Sequence, residues 1–370
     1  KKDSIDGNAE RFGQQFNQIV YSRDSIMGSG AYRLDSWVLG QSLSLKKKND
    51  WWGNGILEAS PDKITYLFVP DEATAITMLK SGDVDLVSSI SPTVFADLKK
   101  DSAASQLEFH TPKVMQYYYL ALNNQNSLLK DKRVRKALAH LLDLEKMSKV
   151  LMADLAKPIA SPIHSSKTYH NSNLQPIGYD PEKARQLLFE SGWSDTDGDG
   201  VLENTLNNET EELSLDILVT QKALGRNIAR ILKENAQEVG IEINIKGQNW
   251  GEIVRQINSQ DYHIAAMATR QHPGLDDLYQ SWHTASIGPD GRNITGFGTA
   301  RTDSIINILR TTEDAQQRKE LFLMIQEIIY EEQPMIFLFS PTETIIHRSD
   351  IEIQISSKRP GYFENTAQTK

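Results

Sequence analysis

The chain has 370 residues, of which 39% are hydrophobic, 24% charged and 8% aromatic, an ordinary globular composition over a length that one core rarely supports, so two lobes are expected. A formal charge of −9 excludes a duplex nucleic-acid binder, which needs a basic stripe; the one dense basic run, Lys46 to Lys48, reads as a solvated strand end. The absence of cysteine excludes disulfides, thiolate nucleophiles and Cys-ligated zinc, and no apolar run approaches the roughly 18 residues of a transmembrane helix.

The opening residues Lys1-Lys2-Asp3-Ser4 carry neither an initiating Met nor the apolar core of a signal peptide, so a processed or fragmentary N-terminus is expected. In chain order, Lys63 to Val69 reads as a strand, Pro70-Asp71 opens a helix through Leu79, and Gly82 breaks it before a strand at Val84 to Val87. Gln116 to Leu122 is an apolar, aromatic strand, followed by a helix from about Asp131 to Asp143. Asp195-Thr-Asp-Gly-Asp-Gly-Val-Leu-Glu203 then places carboxylates at alternate positions. Hard cations take several oxygen ligands at short range, so Asp195, Asp197, Asp199 and Glu203 with the carbonyl of Val201 form a candidate structural Ca2+ loop. It departs from a full EF-hand, whose twelfth position would be Leu206 here. A polar turn bonded to its own backbone amides is the alternative.

The most legible stretch follows. Leu213 to Val219 alternates with period two, and Leu224, Ile228, Ile231, Leu232 and Val239 recur at helical spacing up to Gly240. Ile241 to Ile245 alternates again, Ile253 to Ile257 suits a short helix, and Tyr262 to Met267 is a third strand. This βαβαβ order implies a parallel sheet covered by helices, and the segment 63–87 implies a second α/β sheet. Ala315 to Ile329 reads as a long helix and Pro334 to Phe339 as a buried strand. The strands at 116–122 and 334–339 are expected to be the crossings between lobes.

Six segments, in order, resemble the family 5 extracellular solute-binding proteins, the peptide, nickel and oligosaccharide receptors of ABC importers. They are Gly28-Ser-Gly-Ala-Tyr-Arg33 with Trp37; Lys48-Asn-Asp-Trp-Trp-Gly53; Ile76 to Leu86 with Ser81-Gly-Asp-Val-Asp85; Tyr119-Leu-Ala-Leu-Asn123 with Asp131-x-Arg-Val-Arg-x-Ala-Leu138 and Asp143; Tyr179 to Leu188 with Gly192-Trp193; and Pro334 to Phe339. The resemblance implies a two-lobed α/β fold of the periplasmic-binding-protein type II, its first lobe incomplete at the N-terminus. Residues 1–120 would belong to lobe I, 121–338 to lobe II and 339–370 to the return into lobe I. It also implies a non-enzymatic, monomeric receptor outside the cytoplasm, periplasmic or tethered at the cell surface. Such a receptor requires no cofactor, closes on a peptide or other small ligand by hinge motion and delivers it to an ABC permease.

Open α/β sheets bind ligands beyond the C-terminal ends of their strands, which directs attention to the segment from Ala268 to Asp277. Peptide receptors of the family typically carry a Trp and an Asp early in this loop, the Asp pairing with a free amine; here those positions look like Ala268 and Gln271. Arg270 suits a carboxylate instead, because its fork bonds two oxygens at once. Gln271, His272, Trp282, Phe297 in Asn293 to Gly298, and Tyr117 and Tyr119 complete the candidate ligand set. Two other classes stay open: a sensory protein that presents its closed form to a membrane receptor, and a carbohydrate-active hydrolase using two distant carboxylates. No Gly-x-Ser-x-Gly elbow, His-Glu-x-x-His or P-loop is present.

Overall fold

A computed structural model describes residues 28 to 370, apart from Glu58 and Asn207, together with Gln14, Asn17, Gln18 and Ile26; the Lys1 to Ser4 run lies outside the described residues. The chain forms two compact units, one of residues 1–90, 97–112 and 343–370, the other of residues 91–96 and 113–342.

The first segment carries β1 (Tyr32–Val38), β2 (Ser42–Lys47), β3 (Lys63–Leu67), α1 (Glu72–Ser81), β4 (Leu86–Ser88), α2 (Pro92–Lys100) and β5 (Leu107–His110). Helix α1 starts where expected because the Asp71 side chain accepts from the Thr74 amide, and it stops at Gly82, whose φ of 82° suits a residue without Cβ. The middle of the chain carries β6 (Gln116–Leu122), α3 (Lys132–His140), α4 (Leu144–Met152), β7 (Ala156–Pro158), α5 (Pro181–Glu190), β8 (Glu203–Leu206), β9 (Glu209–Glu212) and β10 (Ser214–Val219). It continues with α6 (Ala223–Gln237), β11 (Glu242–Gly247), α7 (Trp250–Asn258), β12 (Ile264–Arg270), α8 (Tyr279–Trp282), α9 (Ala300–Thr311), α10 (Ala315–Glu332) and β13 (Met335–Pro341). The return carries β14 (Ile345–Arg348), β15 (Ile351–Ile355) and β16 (Tyr362–Thr369).

The second unit is organised by one six-stranded sheet in the order β11-β10-β12-β6-β13-β7. The expected βαβαβ region supplies its parallel part, β10 pairing in parallel with β11 and β12. Strands β6, β13 and β7 add antiparallel neighbours, so the sheet is mixed. Each face has its own apolar cluster, one built around Leu120, Leu138 and Ile217, the other around Tyr119, Phe322 and Ile325. That two-sided cover explains why β6 and β13 read as continuous apolar runs.

The structure moves the expected boundaries. Strands β6 and β13 are central to the second unit's sheet, and the chain passes between units at 90–91, 96–97, 112–113 and 342–343. The helix expected from about Asp131 to Asp143 forms as Lys132–His140 and ends short of Asp143, which instead caps the next helix by accepting from the Lys146 amide. The second α/β sheet expected from the segment 63–87 does not form as one sheet: β3 closes an antiparallel sheet with β1 and β2, whereas β4 pairs with the distant β14 in a sheet ordered β4-β14-β5. Pairing across more than 250 residues leaves no trace in local periodicity, so the sequence could not show it.

Two segments of the resemblance meet in the first unit. The Trp51 and Trp52 indoles both donate to the Ser29 carbonyl, at 2.8 and 2.9 Å, and Lys48 donates to the carbonyls of Gly28 and Gly30. Lys48 therefore ties down the glycine-rich turn, where the sequence suggested only a solvated strand end.

Candidate functional site

The loop that leaves β12 is held rigidly from below. At its root the Gln271 amide donates to the Met115 carbonyl at 2.8 Å, continuing the β12–β6 ladder in which Arg270 faces Gln116. The Gln271 side-chain amide donates to the Pro162 carbonyl, and its Oε1 is buried without a partner among the described residues. Lys167, almost fully buried, donates to the His272 carbonyl at 2.7 Å and to the Gly274 carbonyl, and it stands 3.8 Å from Asp276. The Tyr169 hydroxyl donates to the Asp276 carboxylate at 2.9 Å, while its ring stacks on Phe322 at 4.1 Å between centroids.

Burial raises the Asp276 carboxyl above its ordinary pKa against the pull of the Tyr169 hydroxyl and Lys167, and burial together with Asp276 raises the Tyr169 phenol. The segment supplying Lys167 and Tyr169 is itself anchored by Gln326, fully buried on α10. Its amide nitrogen donates to the carbonyls of Tyr169 and Phe322, and its oxygen accepts from Ser161 and the Asn171 amide. Lys167, Tyr169, Asp276 and Gln326 escaped the sequence reading, since a lone polar residue in a loop or on a helix announces no partner 100 residues away.

On this platform Arg270 and His272 are exposed. No hydrogen bond or ion pair with the described residues engages the Arg270 guanidinium. The His272 ring Nδ1 accepts from the Gly274 amide at 3.0 Å, which fixes the tight turn. An uncommitted fork at the C-terminal end of a parallel strand can take a carboxylate or another planar anion.

The aromatic candidates lie elsewhere in the unit's architecture. Tyr117, Tyr119, Trp282 and Phe297 are all under 8% exposed, in the cluster that also holds Phe322. Trp282 meets Phe297 edge-on at 6.2 Å, and Tyr117 packs against Tyr119 and Phe337. In this conformation the four rings serve packing. The segment carrying Phe297 is locked by Asn293, whose side-chain amide donates to the carbonyls of His283 and Phe297.

The acidic loop folds as its spacing suggests. Ligand-type oxygens of Asp195, Asp197, Asp199 and Glu203 all lie within 4.8 Å of one another, Glu203 being buried and the aspartates exposed. Gly198 and Gly200, at φ of 84° and 92°, make the turns that a side chain would strain. The same carboxylates accept from backbone amides: Asp195 from Gly198 and Gly200, Asp199 from Val201, and Glu203 from Thr196.

Comparison with known proteins gives these positions a family context. The profile of the bacterial extracellular solute-binding proteins, family 5, matches residues 10–288. The oligopeptide-binding protein AppA of Bacillus subtilis is 28% identical over 339 residues, covering 90% of this chain and 60% of that one. The structure of that protein with a nonapeptide superposes with a TM-score of 0.81 at 24% identity, covering 98% of this chain and 70% of that one. The periplasmic binding protein DppA of Helicobacter pylori, an ABC-transporter-associated protein in complex with the peptide STSA, gives 0.79 at 20% identity, covering 99% and 67%. NikA of Brucella suis, in complex with Fe(III)-EDTA, gives 0.80 at 21% identity, covering 93% and 68%. The two-lobed α/β fold is thus shown, and the matched proteins bind peptides or metal complexes as ligands. The chain spans about 60% of the length of the AppA relative. Among the described residues no helix is long and apolar enough to cross a membrane.

Proposed function

Because the chain belongs to the bacterial extracellular solute-binding proteins of family 5, we propose that it is a receptor that captures an oligopeptide-like or acidic solute by hinge closure and delivers it to an ABC permease. It binds one equivalent as a monomer outside the cytoplasm, in the periplasm or tethered at the cell surface, and releases it chemically unchanged, so it is not an enzyme. The observation that carries this reading is Arg270, an exposed, uncommitted guanidinium on a loop held by Lys167 and Tyr169. Gln271, with a buried oxygen still free to accept, and His272 complete the polar contacts on that loop. Trp282, Phe297, Tyr117 and Tyr119 pack in the apolar cluster that also holds Tyr169 and Phe322. A receptor of this kind moves from mostly open to mostly closed when its ligand binds the closed form more tightly by about 5 kcal/mol, which a bidentate carboxylate contact and a few buried hydrogen bonds supply together.

The test is native mass spectrometry and calorimetry on the purified chain with a library of acidic and neutral peptides. Arg270→Ala is expected to weaken an acidic ligand by about tenfold to a hundredfold, the worth of a charge-assisted hydrogen bond or two. An unchanged affinity removes Arg270 from the site, and turnover of the bound molecule overturns the receptor reading.

The loop 195–203 is proposed to take a structural Ca2+, its oxygens coming from Asp195, Asp197, Asp199 and Glu203 with the carbonyl of Val201. Calcium titration should then raise the melting temperature, an effect lost in Asp197→Asn; calorimetry with no heat and no thermal shift ends the idea.

A further inference from the structure

The first unit carries a second cluster of ligating side chains, far from the acidic loop in sequence and different from it in chemistry. The β5–β14 register sets it: His347 lies directly opposite Glu108, and His110, two residues along β5, points from the same face. The two imidazoles stack at 5° between planes, with their Nε2 atoms 2.8 Å apart. The Glu108 Oε2 stands 3.9 Å from the His110 Nε2 and 3.8 Å from the His347 Nε2.

From this convergence we infer that Glu108, His110 and His347 form a binding site for a late first-row divalent cation, of the kind that zinc represents. Two imidazole nitrogens and one carboxylate oxygen are a donor set that suits such ions, and water fills the remaining positions on the exposed side. The outer partners are those a metal site needs. The His347 Nδ1 donates to the Arg348 carbonyl at 2.9 Å, which fixes the tautomer and leaves the Nε2 lone pair facing the cluster. Lys370 takes Glu108 Oε1 at 2.5 Å, which leaves Oε2 for the ion.

Without an ion the same imidazoles share one hydrogen bond through their Nε2 atoms. Around a tetrahedral ion with bonds near 2.05 Å those nitrogens separate to about 3.3 Å, a shift of a few tenths of an ångström on each strand. The ion would tie β14 to β5, joining segments more than 230 residues apart in sequence, so occupancy should hold the returning chain in the first unit. This inference is independent of the ligand-binding reading.

The experiment is calorimetry and thermal melting of the tag-free chain at pH 7.5 with zinc chloride as the sole ligand. One equivalent should bind, and a hundredfold excess over Kd should raise Tm by about 5 °C. His347 is only 2% exposed and its removal risks the fold, so the variants are His110→Gln and Glu108→Gln, whose side chains are 30% and 38% exposed. Each should keep the metal-free melting temperature while zinc affinity falls tenfold or more. Absence of saturable binding in the native chain overturns the site, as does zinc binding by His110→Gln at undiminished affinity.

Discussion

The two units differ in how their apolar surface is covered. In the second, a six-stranded sheet is buried on both faces, and Leu120, Leu122, Leu138, Ile217, Phe322 and Ile325 are essentially inaccessible. In the first, two three-stranded antiparallel sheets and a two-stranded ribbon leave Trp37, Val38, Leu39, Trp52, Leu67 and Phe68 between 40% and 76% exposed. A cavity of about 710 Å3 opens there between β3 and β15–β16, where the Tyr66 hydroxyl donates to Glu364 at 2.8 Å. The lesson is that burial follows the size of a sheet and the cover on its two faces, not the sequence separation of its strands. The second unit's sheet joins the local β10–β11–β12 segment to the remote strands β6, β13 and β7 and is covered by helices on both faces, whereas the first unit's sheets are small, and the one that holds β4 and β5 depends on β14 returning after the whole second unit.

Paired substitutions put that contrast to its hardest test. Phe322→Ala removes a fully buried ring that also supports Tyr169, and should cost about 3–5 kcal/mol in urea unfolding followed by far-ultraviolet circular dichroism. Trp37→Ser removes a ring that is 40% exposed, and should stay within about 0.5 kcal/mol of the native value. A Trp37→Ser loss as large as that of Phe322→Ala would mean that its ring is covered in solution, and the contrast between units would fall.

What the sequence made legible divides along the same line. The βαβαβ from Leu213 onward was readable because period-two alternation, a 3.6-residue apolar stripe and Gly240 each leave a local mark, and β6 was readable to the residue because its apolar run ends at polar neighbours. The acidic loop was readable because its oxygens come from nine consecutive residues. The β4–β14–β5 sheet and the Glu108–His110–His347 cluster were not, since each needs a pairing between remote segments. Arg135 is the sharpest case. It appears in the sequence as one charge in an amphipathic helix, yet it is 3% exposed, and its guanidinium donates to the carbonyls of Leu129, Lys130, Glu332 and Gln333. Burial lowers its pKa to about 10, which still leaves it charged, and it closes the C-terminal end of α10. Arg270 was legible as a candidate only through its place at a strand end; the platform beneath it was not.

The smaller effect is one of pH, and it sharpens the comparison because the better-packed unit is the more exposed to it. His164, His170 and His263 lie in the second unit and His110 in the first, and burial is the leading cause that lowers the pKa of each. Two of them act as acceptors: the His263 Nδ1 takes the Asp216 amide at 3.0 Å, and the His164 Nδ1 takes the Ser166 amide at 3.2 Å. Protonation at Nδ1 abolishes either bond. A base whose folded pKa is depressed binds protons more readily when unfolded, so its contribution is fully present above the unfolded value near 6.5 and is lost as pH falls below it. Melting temperature should therefore be level from pH 8 to 7 and decline from about pH 6.5 downward. His263→Gln should show a shallower decline, because the half-buried imidazole on β12's approach no longer has to be kept neutral. A melting temperature unchanged between pH 7.5 and 5 would show that these rings are solvated, and that the second unit is looser around β10 and β12 than its closed core implies.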